Sequence, residues 1–112
     1  MISVKDRGIL EVIIEHCQRI ESKTNGLTKE EFIENEDIKD IVCFNILQIG
    51  ELAKNFSEEL ISKYKTVPWK QIKGMRDKIG HGYGTIDLDK VWNTASTDIH
   101  PLKIYCENIL NK

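Results

Sequence analysis

A chain of 112 residues, 40% hydrophobic and 30% charged, carries enough apolar material for one packed domain and leaves little room for a second. The formal net charge of -2 excludes a generic basic nucleic-acid binder, and the apolar-to-charged balance excludes a disordered chain. No run nears the roughly 18 to 20 apolar residues that span a bilayer, and early charges interrupt any secretory leader, so a cytoplasmic location is expected.

Ser3 and Asp6 stand at capping-box spacing, and Ile9, Leu10, Ile13, Ile14, Cys17 and Ile20 then recur every three or four residues. This predicts a first helix that stops before the Asn25-Gly26 turn. Thr28 and Glu31 form a second capping box, opening a short helix through Phe32 and Ile33. From about Glu36 to Phe56 runs the most apolar segment, with hydrophobic residues over most of its circumference. Such a helix is central, or it faces a partner as well as its own core. Gly50 costs this helix stability and so points to a close helix contact. Asn45 and Gln48 need partners if buried, either across an interface or as a core polar pair.

Ser57 caps another short helix, with Glu58 and Glu59 in the first turn where negative charge suits the helix dipole. Pro68 fits the first position of a helix running to about Ile79. Thr85 or Asp87 starts the last helix. Its stripe of Leu88, Trp92, Ala95, Ile99, Leu102, Cys106 and Ile109 runs through Pro101, where a kink is expected. Strand alternation, repeats and linkers are absent from the sequence. The predicted fold is all-α, an up-and-down bundle of about four main helices with one or two short ones, as a single domain over residues 1–112.

Cys17, Cys43 and Cys106 are odd in number, form no CxxC pair and fall on apolar stripes, which predicts buried free thiols. His16, His81 and His100 have no metal-ligand spacing, and neither a metal nor a cofactor is expected. Charge is uneven along the chain. Lys63, Lys65, Lys70, Lys73, Arg76 and Lys78 face only Asp77 over residues 63–78, whereas acidic residues dominate from Thr28 to Leu60. A basic segment on an acidic protein marks an anion-docking site or is simply a solvated helix face.

The stretch from Arg76 to Tyr83 concentrates the reactive side chains. At 100° per residue, Trp69, Ile72, Met75 and Ile79 form a buried face with Arg76 at its edge, where an Arg needs an anion or a solvated cleft. Asp77 precedes His81 by four residues, within hydrogen-bond reach if the helix persists. The helix is expected to fray at Gly80, leaving His81 near its C-terminal end. There the dipole and the carboxylate both favour the protonated ring. Gly80, Gly82 and Gly84 alternate with His81 and Tyr83 and would hold both side chains outward. An ordinary glycine helix stop with an exposed His and Tyr accounts for the same residues.

At these positions the sequence resembles the HEPN superfamily, and within it the HepT-type toxins of prokaryotic toxin–antitoxin pairs. The shared motif is Arg, a polar residue and then His after a short spacer, here Arg76, Asp77 and His81, with the HepT-type Tyr two residues further on at Tyr83. Gly50-Glu51, Val67-Pro68-Trp69 and Val91-Trp92 resemble the same family, so the likeness covers the whole chain. Asp77 is a departure, because many members carry Asn there.

The resemblance implies a homodimer with facing motifs and metal-independent RNA cleavage. Arg76, His81 and Asp77 would be catalytic, and Lys70, Lys73 and Lys78 would guide the RNA backbone. It also implies a partner, a minimal nucleotidyltransferase antitoxin of the MntA type that silences the toxin by adding AMP to Tyr83. A non-catalytic HEPN module that binds nucleotides or proteins is the competing expectation.

Overall fold

The computed structural model describes residues 2–79 and 86–112, with the side chain of Lys78 left aside. Helix α1, Val4–Thr24, starts where the Ser3 hydroxyl accepts the Asp6 N–H at 3.0 Å. Asp6 does not complete a capping box. Its carboxylate instead crosses to the start of α4, Glu58–Lys63, and accepts the Ser57 N–H at 3.0 Å and the Ser57 hydroxyl at 2.5 Å. Burial pushes the Asp6 carboxyl up, but the bonds from Ser57 and Ser3 outweigh it and hold the group below its ordinary value of 3.8.

The Thr28–Glu31 capping box is fully formed and opens α2, Lys29–Glu34. The Asn35 side chain caps α3, Glu36–Ala53, which stops short of the Phe56 expected from the sequence. Pro68 is the cap of α5, Trp69–Lys73, rather than its first helical residue. At Gly74 that helix tightens into a 3-10 turn, Gly74–Lys78. The predicted helix to Ile79 is therefore present, but its second half has three residues per turn.

Asp87 caps α6, Leu88–Asn93, by accepting the N–H groups of Asp89 and Lys90. A π turn, Thr94–Asp98, joins α6 directly to α7, Ile99–Leu110. The distortion expected at Pro101 is thus taken up just before it. Pro101 itself lies in the first turn of α7, where a missing N–H costs least. The extra residue of the π turn rotates the buried face. Val91 and Thr94 are buried, whereas Leu88 and Trp92, predicted on the stripe, are half-buried.

The result is an all-α bundle with no strand among the described residues. Helix α1 packs along both α3 and α7, while α5 and the 3-10 turn lie on α3 and α2 bridges α3 and α6. Leu10, Ile13, Cys17, Ile20, Ile46, Ile49 and Ile99 are completely buried at the centre. Aromatic pairs close the flanks: Phe32 meets Trp92, and Phe56 meets Trp69 edge-on. The Trp69 indole N–H donates to the Tyr64 carbonyl at 2.8 Å.

Asn45 and His16 form the core polar contact, with His16 Nδ1 and Asn45 Oδ1 2.6 Å apart and the Asn45 amide donating to the Ile41 carbonyl. Gln48 is not part of it. Burial pushes the thiol of Cys106 up to about 12 and that of Cys17 higher still, which makes both inert. Cys43, predicted buried, is half-buried. No helix among the described residues is long and apolar enough to cross a membrane.

Candidate active site

The 3-10 turn that carries Arg76 rests directly on α3 at Gly50. A Cβ on Gly50 would stand 2.9 Å from the Arg76 backbone nitrogen, 3.3 Å from the Arg76 Cβ and 3.5 Å from the Lys73 carbonyl oxygen. Only a residue without a side chain allows this backbone-to-backbone approach. The glycine expected to permit a close contact therefore does so at the candidate catalytic arginine.

The next residue along α3 completes the arrangement. Glu51 Oε1 lies 3.2 Å from Arg76 Nε, and Lys54 Nζ lies 3.3 Å from the same oxygen. Both partners stay about half exposed, with side-chain exposures of 48% for Arg76 and 43% for Glu51. The pair therefore orients the guanidinium more than it stabilises the fold. Because Glu51 engages Nε, the terminal NH2 groups are the part of the fork suited to grip a phosphate. Glu51 was not among the predicted site residues. Its signal in the sequence is an acidic residue placed directly after a glycine in the most apolar helix.

Met75 and Ile79 are buried beneath the turn, as are Trp69 and Ile72 on α5, so the predicted apolar face is present. Arg76 and Asp77 follow each other on the exposed side. In a 3-10 turn successive residues step by about 120°, so the α-helical register assumed for an Asp77–His81 contact is not the one Asp77 itself adopts. Lys70 is exposed and Lys73 is half-buried on the same short helix. The Lys78 side chain, His81 and Tyr83, with the glycines around them, lie outside the described residues.

A family model for the HepT-like ribonucleases matches residues 13–109. "Putative RNase TTE0752" of Caldanaerobacter subterraneus subsp. tengcongensis is 32% identical, covering 95% of this chain and 95% of the relative. "Putative RNase MJ1216" of Methanocaldococcus jannaschii is 36% identical over 93% of this chain and 86% of its own length. "Probable ribonuclease HepT" of Thermococcus cleftensis is 32% identical over 87% and 88%. No solved structure matches the chain at a comparable level.

The all-α bundle, with an arginine-bearing turn seated on its central apolar helix, is of the HEPN type. Within that class the chain belongs to the HepT-like ribonuclease family, and its enzyme class is ribonuclease.

Proposed function

We propose that the chain is a metal-independent endoribonuclease that works as a homodimer and is the toxin of a toxin–antitoxin pair. The observation that carries this reading is the placement of Arg76. It is fixed against Gly50, oriented by Glu51 and half exposed, on a turn leading straight into the His81–Tyr83 segment. RNA brings its own nucleophile. His81 takes the proton of a 2′-hydroxyl, whose oxygen attacks the adjacent phosphorus as the bond to the 5′-oxygen breaks. The second copy's His81 returns a proton to the leaving oxygen. Arg76 grips the phosphate and stabilises the charge that grows on it. Asp77 orients the histidine, and Lys70, Lys73 and Lys78 track the neighbouring phosphates.

The outer face of α3 supports the dimer. Phe44 is 55% exposed, and Ile41, Phe44, Gln48 and Glu51 follow each other at helical spacing toward Arg76. A second copy docked there would bring two Arg76 turns to one cleft. Tyr83, between Gly82 and Gly84, is the proposed acceptor of AMP from a nucleotidyltransferase antitoxin of the MntA type. The added phosphate would pair with Arg76 and repel RNA.

The test is purified protein with total RNA in the presence of a chelator. Arg76→Ala and His81→Ala are expected to remain folded by circular dichroism and to lose at least about tenfold in cleavage. Full activity in folded His81→Ala would falsify the catalytic assignment. RNA retained but never cut by the wild type would favour a binding module. Mass spectrometry after co-expression with the transferase decides the switch, since silencing that persists in Tyr83→Phe removes Tyr83 from it.

A further inference from the structure

A cleft of about 480 Å³ has α5 and the start of the 3-10 turn on one side and the π turn and the start of α7 on the other. Its size falls within the range of small-ligand sites. Ile72, Met75 and Leu102 contribute buried apolar surface. Tyr105, half-buried, adds an aromatic wall, and the exposed Gln71 and Asn93 bring carboxamides to the rim. The Thr97 hydroxyl donates to the Asn93 backbone carbonyl, with Asn93 Oδ1 3.2 Å from the same hydroxyl, so the Asn93 carboxamide keeps both a donor and an acceptor edge for a ligand.

The described lining is mainly apolar, with Pro68, Ile72, Met75, Pro101 and Leu102 beside the Tyr105 ring and the two carboxamides at the rim. Such a surface suits a flat, uncharged group with hydrogen-bonding edges. An unstacked RNA base is such a group. Proteins hold it on aromatic side chains and read its edge with amides.

Two features tie the cleft to the catalytic turn. Gly74 and Met75 line it and immediately precede Arg76. Asn93 and Asp98, at the two ends of the π turn, line the opposite side. π turns sacrifice helix regularity and recur at functional sites.

We propose that this cleft is a nucleobase subsite that selects where RNA is cut. A base next to the phosphate held by Arg76 packs against Tyr105 and Met75, and its edge meets Gln71 and Asn93. The proposal rests on the ribonuclease reading above for its consequence, but not for its binding chemistry.

The experiment titrates 15N-labelled protein separately with AMP, CMP, GMP, UMP and inorganic phosphate. Saturable shifts are expected at the Gly74 amide and at the Gln71 and Asn93 side-chain amides with at least one nucleotide, and none there with phosphate. Gln71→Ala and Asn93→Ala, both at exposed positions, are expected to weaken that nucleotide at least about fivefold, in line with losing one base contact. In cleavage, the same variants are expected to redistribute the cut sites on one RNA. Silent cleft amides, identical shifts with phosphate alone, unweakened binding in both variants or an unchanged map of cut sites overturns the proposal. The titration needs no turnover. A wild type that cuts no RNA therefore strikes the ribonuclease reading, while the shifts still decide whether the cleft binds a base.

Discussion

A methyl group at position 50 would press on the Arg76 backbone nitrogen at 2.9 Å, and backbone atoms of a packed turn cannot swing aside. Gly50→Ala gains about 1 kcal/mol of helix propensity, yet forcing the turn away costs about 1–3 kcal/mol. The net expectation is no gain in urea stability together with a marked loss of cleavage. A stabilised, fully active Gly50→Ala would show that the close approach is unimportant. Glu51→Gln keeps its shape, and losing a half-exposed ion pair changes stability by less than about 1 kcal/mol. Its expected effect is a lower kcat at nearly unchanged stability, because Arg76 loses its orientation. Asp6 behaves differently, since its partners are structural. Its folded carboxyl titrates below the unfolded value, so its contribution is complete above about 3.8 and is lost as pH falls through the folded value. Asp6→Asn is expected to cost about 1–3 kcal/mol at neutral pH and to flatten the acid limb of the stability curve. Equal acid limbs in the two proteins would contradict this.

Helices α1 and α3 are joined by apolar side chains and by one polar contact, His16 with Asn45. Both residues are buried, so removing one strands the other's hydrogen-bonding atom. Asn45→Ala is expected to lose about 1–3 kcal/mol in denaturant unfolding beyond its lost packing. The pair His16→Leu with Asn45→Leu should cost less than the sum of the two single changes, because neither partner is then left unpaired. Simple additivity would argue that the contact is incidental. The α5 helix shows the other side of element design. It has only five α-helical residues before the 3-10 turn begins, and it persists because Trp69, Ile72 and Met75 are buried against α3 and its neighbours.

Across the molecule, charge and apolar surface are segregated. The hollow lined by Glu31, Glu34, Glu36 and Asp37 is acidic and would repel RNA, while Lys70, Lys73 and Arg76 lie on the α5 side. Phe44 stands exposed on α3 with Ile41 half-buried beside it, on the approach to Glu51. Phe44→Glu places a charge in the proposed dimer interface, where it would be desolvated. It is expected to shift the protein toward monomer in light scattering at micromolar concentration and to reduce cleavage in parallel. A wild type that is itself monomeric, or a Phe44→Glu dimer of unchanged mass, would place the interface elsewhere or remove it.

The helices and their starts could be read from the chain because their causes are local. The Thr28–Glu31 box, the Ser3, Ser57 and Asp87 caps and the stripes of α1 and α7 act within one or two turns. The place of Arg76 at the edge of a buried face was likewise legible, while His81 and Tyr83 lie outside the described residues. Tertiary packing decided what Arg76 and Asp6 meet. Glu51 reaches Arg76 only because Gly50 lets two backbones touch, and Asp6 turns away from its own helix to a serine 51 residues on. The π turn shifts the last helix's buried face from Leu88 and Trp92 to Val91 and Thr94, as the neighbouring helices require of it. Periodicity reports which side of a helix is apolar. Which atoms lie within hydrogen-bond reach across helices depends on how closely those helices approach, and a spacing along one chain carries no measure of that distance.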